Sequence, residues 1–114
     1  MEPLAAGTVA LVAFPFSDLS RSKYRPALVL AAAGRDDFIL CQITSNRYAD
    51  STAVELADRD FIEGSLRRVS YARPGKLFTA HQSLMRDRVS VLDRPAHSRV
   101  VEEVVTLLRS QASP

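Results

Sequence analysis

The sequence has no tryptophan, one cysteine (Cys41), two histidines (His81 and His97) and four glycines in 114 residues. A lone cysteine excludes an intrachain disulfide framework and fits a reducing compartment, so a cytoplasmic location is expected. One cysteine and two scattered histidines are too few for a structural zinc site, and neither a metal nor a cofactor is expected. The longest apolar run, Val9 to Phe16, contains Pro15 and falls far short of a membrane span of about 20 residues. Met1 to Ala6 carries no basic residue, which argues against a signal peptide. Internal repeats, low-complexity tracts and long linkers are also missing, so residues 1–114 read as a single domain.

What is present is ordinary globular composition, 46% hydrophobic and 25% charged. The net charge of +2 does not announce a nucleic-acid partner. Its make-up says a little more: thirteen of the fifteen basic residues are arginine, which fits either a GC-rich coding sequence or a surface that grips phosphates. Arginine forks grip phosphate oxygens better than lysine does.

Gly7 to Phe14 is dense in Val and Leu and predicts a buried strand, ended by Pro15. Phe16 to Tyr24 is polar and basic and predicts a long exposed loop, of the kind that carries function. Arg25-Pro26 opens a second strand to about Ala32, and Gly34 to Asp37 predicts a hairpin turn. Phe38 to Thr44 is apolar at both alternating sets and predicts a central strand. A fourth strand is expected over Ser51 to Leu56. A short helix or turn is expected over Asp58 to Gly64, with Asp58 as N-cap. Two strands, Arg67 to Ala72 and Lys76 to Ala80, would flank a Pro74-Gly75 turn, and Asp87 to Leu92 would add another. Pro95 then opens an amphipathic helix to about residue 110, with Val100, Val101, Val104, Val105, Leu107 and Leu108 at helical spacing. The fold class is therefore mainly β with a C-terminal α-helix: a small barrel over about 7–92 capped by a helix over about 95–110.

Three segments in this order carry a resemblance: Gly7 to Phe16, then Arg25-Pro26-Ala27-Leu28-Val29-Leu30, then Phe38 to Ser45 ending in Thr44-Ser45. The chain resembles the MazF/PemK toxin family over about Gly7 to Leu92, with Lys76-Leu77-Phe78 as a later echo. It departs from that pattern in the first loop, which lacks the Gly and Glu common in the family, and at Ala13, where an acidic residue is usual. The resemblance implies an SH3-like barrel of the MazF/CcdB toxin type that forms a homodimer. It further implies the toxin component of a type II toxin–antitoxin system, held by a cognate antitoxin whose C-terminal segment fills the toxin's groove. The implied activity is a sequence-specific, metal-independent endoribonuclease that cleaves single-stranded RNA (mRNA) through the 2′-hydroxyl. The expected products are a 2′,3′-cyclic phosphate and a 5′-hydroxyl. The family's catalytic Arg and Thr map to Arg25 and Thr44.

The chemistry is consistent with those two side chains. RNA brings its own nucleophile, so a protein need only align the 2′-hydroxyl and stabilise charge developing on phosphorus. Arg25 suits charge stabilisation and proton donation to the leaving oxygen, and Thr44 can donate to a non-bridging oxygen. A guanidinium with a pKa above about 12 is a poor general base. Candidate RNA-binding residues combine charge and planar groups: Arg21, Lys23 and Tyr24 in the first loop, Ser45, Asn46 and Arg47 after the third strand, and Arg73 and Lys76. His81 and His97 are an alternative acid–base pair. Cys41 reads as a small core residue. Two other functions share the fold: a non-catalytic toxin binding a protein target such as DNA gyrase, and an RNA-binding relic.

Overall fold

The structure is a computed structural model that describes residues 4–15, 22–47 and 50–111. Its strands are β1 (Thr8–Pro15), β2 (Ser22–Gly34), β3 (Asp37–Thr44), β4 (Val54–Leu56), β5 (Phe61–Glu63), β6 (Ser70–His81) and β7 (Met85–Leu92), followed by helix α1 (Arg94–Ser110). They form one antiparallel sheet in the order β4-β6-β3-β2-β1-β7-β5, curled into a half-barrel.

Alternation along the central strands sends apolar side chains to both faces. Ala10, Val12, Ala27, Val29, Phe38 and Leu40 build one core cluster with Met85. Val9, Leu28, Cys41 and Ile43 build the other, against Ala96 and Val100 of α1. β3 is therefore apolar in both alternating sets because Phe38 and Leu40 are covered on one side and Cys41 and Ile43 on the other, while Ile39 stays exposed. Asp93 caps α1 by accepting from the Ala96 N–H at 2.8 Å. Pro95 lies in the first helical turn, where an absent N–H costs little. The β2–β3 turn is as expected: Arg35 (φ 52°) and Asp36 (φ 64°) are both left-handed, the geometry of a tight two-residue hairpin.

The structure corrects several boundaries. β2 begins at Ser22 rather than Arg25, which places Arg25 inside a paired strand; residues 16–21 of the expected first loop lie outside the described residues. The fourth strand shrinks to Val54–Leu56. The Asp50 carboxylate instead turns the chain at Thr52, accepting from its N–H at 2.9 Å and its hydroxyl at 2.7 Å.

Of the short helix or turn expected over Asp58 to Gly64, the turn is present but shorter, and its N-cap is Ala57 rather than Asp58. A 3-10 turn, Asp58–Asp60, starts after Ala57, and β5 follows at once. Gly64 has φ 65°, and a Cβ there would meet the Val89 carbonyl at 2.6 Å, so this glycine lets β5 lie against β7. The Pro74-Gly75 turn is absent, and β6 runs through it. Ala72 pairs with Ile43 and Leu77 with Cys41, so residues 73–76 bulge opposite Gln42. A proline inside a sheet cannot donate to the ladder, and a bulge is where that is tolerated. β7 starts two residues before the expected Asp87. No described helix is long and apolar enough to cross a membrane.

Candidate active site

Arg25 and Thr44 lie on the neighbouring strands β2 and β3. Ala27 pairs with Gln42, Leu28 with Cys41 and Val29 with Leu40. The β2–β3 pairs end at Ala27 and Gln42, and Arg25 and Thr44 each lie two residues beyond them. Alternation turns both toward the face of Ala27 and Gln42, away from α1. Each is also anchored on its other side, Arg25 across from Val12 of β1 and Thr44 across from Tyr71 of β6. Arg25 is exposed and Thr44 half-buried.

The Thr44 hydroxyl oxygen accepts from the Asn46 N–H at 3.1 Å. With that lone pair engaged, the hydroxyl hydrogen is the group left to offer a ligand. Gln42, half-buried on the same face, joins Lys76, Leu77 and Phe78 in lining a shallow cavity of about 170 Å³. Sequence reasoning missed Gln42. Its signal was a lone amide in the middle of the apolar run from Phe38 to Ile43.

The remaining candidates divide. Ser45, Asn46 and Arg47 are exposed on the segment leaving Thr44, and Lys76 is exposed at the cavity. Arg73 is engaged elsewhere: its Nε donates to Asp50 Oδ2 at 2.9 Å, with side-chain exposures of only 20% and 14%. The Thr52 hydroxyl and then Arg73 hold the Asp50 carboxyl below the usual carboxylate range. Arg73 is thus an anchor for the segment after β3. Tyr24 is 46% exposed, with the Arg86 guanidinium 5.1 Å over its ring. Strand alternation puts it on the face opposite Arg25. Lys23 pairs through its backbone with Phe14. Arg21 lies outside the described residues.

The histidines serve separate elements. His81 Nδ1 accepts from the Ser83 N–H at 3.1 Å and caps the 3-10 turn Gln82–Leu84. His97 sits in α1, where burial pushes its pKa down against the opposing bond to the Leu30 backbone. Cys41 is fully buried, and its Sγ donates to the Arg73 carbonyl at 3.1 Å. Burial pushes the thiol up to about 12, so it is no nucleophile near neutral pH. Among the described residues no cluster of His, Cys, Asp and Glu is placed to hold a metal ion.

Comparison with solved structures places this arrangement in a known architecture. An endoribonuclease in complex with its cognate antitoxin, from a mycobacterial species, matches with a TM-score of 0.72 at 14% identity over 100% of both chains. A MazE-MazF structure from Deinococcus radiodurans matches with a TM-score of 0.73 at 18% identity over 91% of this chain and 94% of that one. The Mycobacterium tuberculosis toxin MazF-mt6 matches with a TM-score of 0.70 at 13% identity over 90% of this chain and 96% of that one. The fold is that of the MazF toxins. No protein-family model and no curated protein matches the sequence itself. Within the MazF fold, Arg25 and Thr44 belong to the two neighbouring strands β2 and β3.

Proposed function

We propose that this protein is the toxin of a type II toxin–antitoxin pair and cleaves single-stranded RNA without a metal. What supports the reading is that β2 and β3 pair up to Ala27 and Gln42, two residues short of Arg25 and Thr44, so that alternation turns both toward one sheet face, with the Thr44 oxygen already accepting from Asn46. The MazF fold supports it, since endoribonucleases and antitoxin complexes are among the chains that share it.

In this mechanism the RNA 2′-hydroxyl attacks the adjacent phosphorus and its proton passes to solvent. Arg25 holds the equatorial oxygens through its planar fork as charge builds on them. Thr44 donates to a non-bridging oxygen and fixes the phosphate in line with the leaving group. The bond to the 5′-oxygen breaks, and that oxygen takes a proton from Arg25. The products are a 2′,3′-cyclic phosphate and a 5′-hydroxyl. Gln42, Lys76 and the Ser45-Asn46-Arg47 segment surround the pair and are placed to contact the flanking nucleotides.

The partners in this reading are a cognate antitoxin, whose terminal segment blocks the same face, and a second copy of the chain in a cytoplasmic homodimer. Apart from Ile39, the apolar residues of β3 are already covered within one chain. A dimer would therefore draw on what stays exposed, such as Ile39 and Leu77 on β3 and β6 and Leu108 on α1.

The decisive test is a gel assay on a diverse single-stranded RNA pool with EDTA present. Discrete fragments are expected, lost for Arg25→Ala and for RNA with 2′-deoxy positions. An intact pool would overturn the nuclease and favour a toxin that acts by binding a protein.

A further inference from the structure

We propose that the cavity between the β4–β5 and β5–β6 connections is a second phosphate-binding site, which holds the backbone of single-stranded RNA beyond the cleaved step. This inference rests on the RNA-cleaving reading above. The cavity measures about 590 Å³, and Arg59, Arg67 and Arg68 line it against one carboxylate, Asp58.

These three arginines differ from the paired ones in the chain, and they are gathered at one cavity. Arg73, Arg88 and Arg99 are each matched to an acid, at 2.9 Å to Asp50, 2.7 Å to Glu63 and 3.0 Å to Asp60. Arg67 and Arg68 are exposed and have no ion pair among the described residues. Arg59 pairs with Glu55 at 3.8 Å between side chains that are 75% and 52% exposed, a pairing worth little in water, and also feels the Asp60 charge. Three guanidinium groups around one hollow repel one another, and an anion between them relieves that repulsion. Guanidinium forks match phosphate oxygens in particular.

Position connects the cavity to the catalytic pair. Val69, on its rim, leads directly into Ser70, the first residue of β6. The next residue, Tyr71, pairs with Thr44. Arg68 thus lies three residues from the partner of Thr44, at most about 10 Å along the chain. Leu66, also on the wall, packs against the core beneath α1 and gives the cavity a fixed flank. An RNA strand reaching this cavity from Thr44 would therefore have to pass over the β4 edge of the sheet, next to Ser70 and Leu56.

The test uses the full chain and a mixed-sequence 20-nucleotide 2′-O-methyl RNA, which binds but cannot be cut through its blocked 2′ position. Binding is read by fluorescence anisotropy across a salt series, for wild type, Arg67→Ala/Arg68→Ala and Arg67→Lys/Arg68→Lys. The alanine pair is expected to weaken binding roughly tenfold at low salt and to flatten the salt slope by about 0.7 for each phosphate no longer neutralised. The lysine pair should keep most of the affinity. On cleavable RNA the alanine pair should raise KM and leave kcat near wild type, with an unchanged melting temperature.

Wild type that cuts and binds RNA, with the alanine pair matching it in KM and salt slope, overturns this site alone. Wild type that neither binds nor cuts RNA overturns the nuclease reading and this site with it. A decaglutamate peptide bound in a manner that needs Arg67 and Arg68, while RNA binding ignores them, also overturns it and assigns the cavity to an acidic protein segment.

Discussion

Arg73 donates its Nε to Asp50 Oδ2 at 2.9 Å, across a separation of 23 positions in the sequence. The pair ties the β6 bulge to the segment that follows Thr44, and Asp50 braces the same turn through the backbone and hydroxyl of Thr52. Breaking it leaves a half-buried guanidinium without its acid. Asp50→Ala is therefore expected to cost about 2 kcal/mol, the scale of a hydrogen bond to a charged group. Chemical denaturation measures the loss. RNA cleavage should fall as well, because the segment carrying Ser45, Asn46 and Arg47 loses its anchor. Unchanged stability would show that the pair holds nothing in place.

Asn46 leaves the Thr44 hydroxyl as a donor, so the methyl of that side chain should matter little and the hydroxyl a great deal. Thr44→Ser is expected to keep cleavage within a few-fold, whereas Thr44→Val should lose roughly 10²–10³ in rate, as for a single donor to a developing oxyanion. Single-turnover cleavage of a labelled RNA reads both. Arg25→Lys should also fall well below wild type, because a point charge cannot replace a bidentate fork. Near-wild-type rates for Thr44→Val would remove Thr44 from the chemistry.

The order of elements was largely legible because β1, β2 and β3 are bounded runs of Val, Leu and Ile, and α1 has helical apolar spacing with Asp93 and Pro95 at its start. The bulge was not. Pro74-Gly75 is a turn signal locally, but pairing on both sides, Ala72 with Ile43 and Leu77 with Cys41, overrides it. Sequence patterns carry no information on which distant strand will enforce such pairing. Arg73 was misread for the same reason: an exposed cation and an anchored one look alike until Asp50 is found beside it. Arg25 and Thr44 were picked out by resemblance, and that their strands β2 and β3 are neighbours is something only the paired sheet reveals. The arginine excess was visible at once, whereas its gathering around one cavity required the two connections to fold side by side.

Cys41 offers a test of the core that is independent of RNA. The thiol is fully buried and its pKa is pushed up to about 12, chiefly by loss of water around it. Iodoacetamide at pH 8 should leave the native protein unmodified for hours and label it fully in denaturant, as intact mass would show. Rapid labelling of native protein would mean that the sheet opens at β3. Cys41→Ser should be destabilising by about 1–3 kcal/mol, since a hydroxyl there needs a stronger partner than the Arg73 carbonyl alone.

Asp60 joins three elements, and its acid dependence follows from that. Its carboxylate is 5% exposed by residue, accepts from the Ala57 N–H at 2.8 Å and pairs with Arg99 of α1 at 3.0 Å. Burial alone would raise its pKa, but the Ala57 N–H and Arg99 together outweigh that and hold it below the ordinary value of 3.8. A depressed carboxylate stabilises the fold fully above its unfolded value, and the contribution disappears as pH falls through the lower folded value. Wild type should therefore lose stability below about pH 4, and Asp60→Asn should lose part of that acid limb while being less stable at neutral pH. Asp60→Ala is expected to cost about 3 kcal/mol, because it strands the Ala57 N–H and removes the acid that pairs with Arg99 of α1. Arg99→Ala should cost less, since the Arg99 side chain is half exposed and Asp60 keeps its backbone donor. Melting curves from pH 2.5 to 7 for these variants would decide it: parallel pH profiles for wild type and Asp60→Asn would mean that other carboxylates set the acid limit and that Asp60 does not link the sheet to the helix through its charge.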